Sequence, residues 1–398
     1  MKKTIPINTI LSGSLIGRRL HASNFVFLNS QIKHTRSLSR PLTFCSPEIR
    51  RSKPYFASQA GERTRKMSRV PIEPQRVDAP LTQSATFLVV SIVKTSSESQ
   101  NFSPDAIKTI RSALASLDDL AKNVAIRDLN ASFACTVGIG ALAWDIVTRL
   151  PRPSELHIFR EVKGAVHTAP STPGDLFFHI RSERRDLCFE FERQLLSLLG
   201  PSISVVDETV GFRYFDVRDL LGFVDGTANP VGPAVPDSVL VTQEDIGVSS
   251  AEYASISAVG GSYIVLQKYL HDMNAWRALK TEQQESIIGR TKFDNEELDD
   301  APEGQQLSHK SLATIEDDSG EYDILRDNMP FGSPGQGEYG TYFIGYSRRL
   351  WVIEKMLRRM FVGVPEGKHD RLLDFSTPVT GTTFFAPSAS LLASLGDD

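Results

Sequence analysis

Between residues 86 and 214, short apolar β-branched segments alternate with stretches of helical spacing, and this alternation limits the architectures open to the chain. Residues 86–93 (TFLVVSIV) read as a strand. Ser103 and Pro104 supply an N-cap and first-turn pair. Ile107, Ile110, Leu114, Leu117 and Leu120 then recur every three or four residues, as one face of a helix requires. Residues 133–139 predict the next strand, followed by a helix through Trp144 that Pro151 stops. Residues 175–181 (DLFFHIR), 186–199 and 203–214 follow as strand, helix and strand.

A second pass repeats the theme. Residues 262–269 (SYIVLQKY) are a strand, 274–279 and 282–288 are helical, and 294–320 are polar with little regular pattern. Residues 341–346 (TYFIGY) are a strand, and 350–361 a helix with Arg358 and Arg359 in its last turn, where cations suit the dipole. Residues 374–387 close the ordered part, leaving 388–398 as a frayed end in preference to a docking tail. The element order predicts an α+β protein of two ferredoxin-like lobes, each an antiparallel sheet with helices on one face. The lobes are expected over 67–225 and 226–398, meeting near 216–260.

Charge sets the first 66 residues apart. They carry 13 Lys and Arg against two acids, Glu48 and Glu62, whereas the rest carries 31 against 46. A tail of +11 therefore precedes a body of −15, which lacks the clustered basic face that nucleic acid needs. The Arg- and Ser-rich tail fits an organelle transit peptide, mitochondrial or plastid. An interrupted secretory signal, a twin-arginine signal at Arg18-Arg19 and a basic disordered extension compete with it, and Met67 could begin a shorter protein. Without a targeting role for this tail the protein is expected in the cytoplasm. No run of about 18 uncharged apolar residues is present, so no membrane span is expected. Cys45, Cys135 and Cys188 have no metal-type spacing and cannot form a disulfide framework, which favours a reducing compartment.

The most informative stretch is Gly222-Phe223-Val224-Asp225-Gly226-Thr227-Ala228-Asn229-Pro230. Glycines on either side of Asp225 allow backbone conformations that other residues resist, so the loop could hold one carboxylate in a confined pocket. On residue chemistry alone, an Asp that caps its own turn explains the pattern at least as well.

Taken in order, several blocks decide between these readings. GFVDGTANP resembles the G-x-x-D-G motif of dye-decolorising peroxidases. Arg290-Thr291-Lys292 with Asp294, Ser308-His309, residues 323–332 (DILRDNMPFG), 340–346 (GTYFIGY) and 373–376 (LDFS) resemble further blocks of that family. The similarity spans roughly residues 70–390 and looks closest to the compact bacterial branch.

The resemblance implies a haem peroxidase that uses hydrogen peroxide to oxidise dyes, phenols or porphyrinogen-like compounds. A haem-handling protein that removes iron or stores haem is the alternative. The implied cofactor is haem b, iron protoporphyrin IX, held mainly by the C-terminal lobe. His309 becomes the axial iron ligand, imidazole being a common one. Asp374 becomes the candidate acceptor behind it, and Phe343 a cofactor-contacting residue. Asp225 becomes the acid–base, Arg326 the charge stabiliser and a cofactor contact, and Asn328 the residue that positions water or peroxide. An ordinary carboxylate pKa of about 4 implies an acidic optimum. His179, in an apolar strand, is expected in the core or a pocket wall. Trp144, Trp276, Trp351, Tyr342 and Tyr346 are expected to pack rather than relay electrons. Partners are a peroxide and a small reductant, with a homo-oligomer expected.

Overall fold

The computed structural model describes residues 72–96, 99, 101–246, 257–302, 304–318 and 320–396, so the basic tail and its targeting role lie outside the described residues. Ten strands carry the fold: β1 (Ser84–Ile92), β2 (Ala134–Gly140), β3 (Leu176–Ser182), β4 (Ile203–Phe212), β5 (Ser262–His271), β6 (Leu325–Arg326), β7 (Met329–Ser333), β8 (Glu338–Ser347), β9 (Ser376–Pro378) and β10 (Thr382–Ala386). The helices are α1 (Pro104–Ala115), α2 (Leu117–Ala125), α3 (Ala141–Thr148), α4 (Arg185–Leu199), α5 (Ala234–Val239), α6 (Met273–Ala278), α7 (Thr281–Ile288), α8 (His309–Ala313), α9 (Leu350–Val362) and α10 (Ala389–Ser394).

The sheet is antiparallel throughout, in the order β6-β8-β5-β10-β2-β3-β1-β4, with β7 added to β8 and β9 to β5. The first lobe thus reads β4-β1-β3-β2. The second repeats the pattern as β7-β8-β5-β10, so both are ferredoxin-like, as the element order predicted. The lobes do not keep separate sheets. Edge strands β2 and β10 pair through Gly140 with Phe384 and Ile139 with Phe385. Gln75 reinforces this short seam: its amide exchanges two 2.8 Å bonds with the Val137 backbone and donates to Pro387 O at 2.9 Å.

One apolar layer packs helices α1, α3, α4 and α9 on the outer face of the sheet. A second cluster joins inner-face residues of both lobes, and Phe87 of β1 stacks on Tyr342 of β8 at 4.2 Å. His179 lies within this core, stacked on Phe87 and hydrogen-bonded to the Tyr346 hydroxyl at 2.9 Å. Trp144 and Trp276 are also buried packing residues.

Three elements depart from expectation. The first long helix breaks at Ser116, whose backbone ends α1 and begins α2. The polar stretch 294–320 contains α8, because Ser308 caps it by accepting from Ser311 N. The frayed C-terminus is instead helix α10, capped by Ser388, with Leu392 and Leu395 buried in the core. Its apolar residues are too few to show periodicity, but they fill a gap beside α1 that only the folded body creates.

Beneath the inner face, Arg181 of β3 meets Asp327, between β6 and β7, at 3.2 Å, and both side chains are about 1% exposed. Arg181 also donates to Arg76 O and Thr136 Oγ1. Burial pushes the Asp327 carboxyl above its ordinary pKa, against the pull of Arg181. Removing the guanidinium alone strands a buried carboxyl. Arg181→Met is expected to lower stability by about 3–5 kcal/mol in urea unfolding, and a loss below about 1 kcal/mol would show that the pair is not a structural tie.

Candidate active site

Chain alternation places the site residues. With Asp327 turned into the core, Arg326 and Asn328 on either side turn the opposite way, into a cavity. The same cavity is lined by Asp225, His309 and Phe343, with apolar wall from Ile288, Met356 and Met360. Helix α9 provides part of that wall. Its residues at 352, 353, 356, 357, 360 and 361 are buried at helical spacing.

The loop carrying Asp225 is fixed at several points. Gly222 and Gly226 take positive φ of 97° and 74°, which a side chain would strain. Asp219 Oδ1 accepts from Gly222 N and Phe223 N at 2.8 and 2.9 Å. Asp225 N donates to Val217 O, and Asp225 Oδ1 accepts from Gly226 N at 2.7 Å. Asn229 then ties the loop to β6. Its Oδ1 accepts from Arg326 N at 2.9 Å and its Nδ2 donates to Arg326 O at 2.7 Å. The same carboxylate oxygen of Asp225 accepts from Asn328 Nδ2 at 3.3 Å, while Asn328 Oδ1 accepts from Ile344 N.

Burial raises the Asp225 pKa above the usual carboxylate range, while the Gly226 N–H, the Asn328 amide and the Arg326 charge pull it back. Asp219, in the same cavity, is pushed up to about 7 by burial, with the neighbouring Asp225 adding to the rise. Burial lowers the Arg326 pKa, opposed by Asp225, yet a guanidinium stays charged at any ordinary pH.

His309 is the first residue of α8. Arg359 of α9 holds this short helix from behind, donating to Thr314 O at 2.6 Å and Ser311 O at 2.9 Å. Arg359 thus sits in the last turn of its own helix, as expected, and also bonds to a neighbour's carbonyls. The His309 Nδ1 lies 2.6 Å from Asp370 Oδ2, and Asp370 is fully buried. Burial would lower the imidazole pKa, but the charge and hydrogen bond of Asp370 outweigh it and raise it. Among the described residues, His309 Nε2 has no protein partner.

The acceptor behind His309 is therefore Asp370 and not Asp374. Asp370 N-caps the turn Arg371–Asp374 through Oδ1, which accepts from Leu372 N at 2.9 Å, and this leaves Oδ2 facing His309. Asp374, one turn later, points to His167, His369 and Arg371. The sequence offers two aspartates four apart, and only the direction of this turn separates them. Asn229 lies within the motif and Asp219 beside it, and sequence reasoning assigns neither a role. Their function is to brace backbone, which residue type does not reveal. His271 also lines the cavity, with its two ring nitrogens bonded to Ser376 and Thr341.

Comparison with known proteins identifies the family. Family models described as "Dyp-type peroxidase, N-terminal" and "Dyp-type peroxidase, C-terminal" match residues 74–213 and 216–391. A dye-decolorizing peroxidase of Mycobacterium tuberculosis is 47% identical over 322 residues, covering 81% of this chain and 90% of that protein. A variant of DypB from Rhodococcus jostii RHA1, solved in complex with heme, superimposes with a TM-score of 0.74 at 51% identity, covering 81% of this chain and 99% of that one. The encapsulated DyP-type peroxidase from Mycobacterium smegmatis gives a TM-score of 0.74 at 45% identity, over 81% and 98%.

The two bonds from Asn229 to the Arg326 backbone make a direct test. Asn229→Ala leaves a backbone N–H and C=O unpaired in a half-buried site, and is expected to cost about 1–3 kcal/mol in denaturant unfolding. An unchanged midpoint would show that the loop is held without this clamp.

Proposed function

The chain belongs to the Dyp-type peroxidase family and is a haem peroxidase, and from that premise we propose that His309 binds the haem iron while Asp225, Arg326 and Asn328 handle peroxide. The observation that carries this reading is an imidazole anchored at Nδ1 by a buried carboxylate, in one cavity with an acid and a guanidinium. Residues and group fit. The wall is largely apolar, as a porphyrin face requires, and Nε2 is the free donor atom of a histidine already oriented for a metal.

When bound, haem supplies an iron that accepts two oxidising equivalents from hydrogen peroxide and passes them to a reductant. The protein supplies the rest. Asp370 accepts the Nδ1 proton of His309, fixes the tautomer and makes Nε2 the stronger donor. Phe343 and Arg326 line the cavity and would contact the cofactor from its wall. Asp225, as carboxylate, takes a proton from one peroxide oxygen and returns it to the other, so that water departs rather than hydroxide. Arg326 stabilises negative charge on the departing oxygen. Asn328 holds the Asp225 carboxylate in the orientation this transfer needs.

The reductants that suit this reading are dyes, phenols or porphyrinogen-like compounds. The haem-handling alternative has weaker support, since the relatives similar over 81% of the chain are named as peroxidases, whereas a deferrochelatase is 25% identical over 45% of it. Assembly into a homo-oligomer is part of the proposal, in line with the encapsulated mycobacterial relative. The targeting role of the basic tail gains no support from these bacterial relatives, and a cytoplasmic location is the simpler proposal. No helix among the described residues is long and apolar enough to cross a membrane.

Asp225→Ala and Arg326→Ala are each expected to slow the reaction with peroxide by about 10²-fold or more while haem stays bound. His309→Ala and Asp370→Ala should lose or weaken haem, whereas Asp374→Ala should not. Stopped-flow absorbance and haem content measure both, and wild-type rates in the first pair would remove Asp225 and Arg326 as the residues that handle peroxide.

The raised pKa of Asp225 adds a pH dependence. A base works only when deprotonated, so the rate should climb through a pKa above the ordinary carboxylate value of about 4 and then level off. Optimal activity then sits less far into acid than an unperturbed Asp would give. Asn328→Ala removes a bond to the ionised form and should move this rise to higher pH. A rise centred below pH of about 4 would contradict the buried environment.

A further inference from the structure

Outside the cavity, two imidazoles converge on one carboxylate oxygen. His167 Nε2 lies 3.0 Å from Asp374 Oδ1, and His369 Nε2 lies 2.9 Å from the same atom. The two rings meet edge-on with centroids 4.8 Å apart, and all three donor atoms fall within 4.8 Å of one another. Side-chain exposures of 21%, 14% and 26% leave the group reachable from solvent without being loose.

Its scaffold is firm. His167 ends the turn between the short strands Val162–Lys163 and Thr168–Ala169, where Gly164 N donates to His167 O at 2.9 Å. A Cβ on Gly164 would sit 2.0 Å from Phe361 O, so this hairpin presses directly on the end of α9. His369 is held through its carbonyl, which accepts from Gln306 Nε2 at 2.9 Å. Arg371 binds the other oxygen of Asp374, which aims Oδ1 at the histidines.

We propose that His167, His369 and Asp374 form a binding site for a divalent first-row transition metal of borderline softness, such as Zn²⁺, distinct from the haem. Two imidazole nitrogens and one carboxylate oxygen are the donor set such ions prefer. Metal–ligand bonds of about 2.0–2.2 Å put tetrahedral ligand atoms about 3.4 Å apart, so the 3.0 and 2.9 Å spacings need to open by a few tenths of an ångström, while the two imidazole nitrogens, within 4.8 Å of each other, need to close towards the same value by a turn of the rings. The remaining coordination positions face solvent and take water. The site joins a hairpin of the first lobe to the segment of the second that carries Asp370, and a bound ion therefore cross-links the two.

The same contacts could serve as a hydrogen-bonded His–Asp–His cluster, and one variant separates the two roles. His167→Gln with His369→Gln keeps amide donors for Asp374 but removes both imidazole ligands. Haem-loaded full-length protein, stripped with a chelator and dialysed against ZnCl₂, should hold one more Zn²⁺ per chain than this double variant. An unchanged haem spectrum in the variant shows that the fold is intact. Asp374→Ala should weaken the binding of that ion about tenfold or more. If the double variant loses haem, the single variants H167Q and H369Q carry the same comparison. Equal Zn²⁺ content in wild type and variants, or none in wild type, overturns the site. A loss of peroxide reactivity in Asp225→Ala or Arg326→Ala would be a separate result, since Zn²⁺ content does not depend on it.

Discussion

A guanidinium with no access to water must find a carboxylate, and here Arg181 finds Asp327. This pair crosses from the sheet of the first lobe to the strand segment that bears the site. Its energetic value as a bond is modest, because desolvating two charges consumes much of their attraction. Its value as a constraint is larger. An extended chain sends neighbours to opposite sides, so an Asp327 locked in the core leaves Arg326 and Asn328 no direction but the cavity. The buried pair sets the hand of the segment.

From that segment the Asp225 part of the cavity is assembled by side-chain bonds to backbone. Asn229 holds the Arg326 peptide unit from both ends, and so brings the Asp225 loop to a fixed distance from the guanidinium. Asn328 closes the circuit by donating to Asp225. Each charged group is oriented by a neutral amide, which can bond without adding a charge to the pocket. This arrangement suits a site in which charge must develop during reaction on the substrate alone.

One aspartate lines the cavity and another stands behind its histidine, and their surroundings differ in kind. Asp370 is wholly buried, spends one oxygen on a turn and gives the other to His309. Asp225 faces the cavity, takes one N–H from the next residue and has its pKa raised by burial. A carboxylate locked as an acceptor and one open to the cavity are thus separated by environment rather than by residue type, a division that carboxylates commonly show.

The sequence by itself determined the α+β class, the order of elements in both lobes and the family. These depend on local periodicity and on contiguous motifs such as GFVDGTANP, where neighbours in sequence are also neighbours in function. It also brought Asp225, His309, Arg326, Asn328 and Phe343 forward together, and all five line one cavity. Only the tertiary structure decided that the two sheets join through β2 and β10, and that residues 389–394 form a helix filling a gap beside α1. It alone chose Asp370 over Asp374 behind His309, and turned Asp374 to a separate pair of histidines. Those outcomes rest on which way one turn faces and which surfaces meet across more than a hundred residues, and such directions leave no mark in the identity of an aspartate.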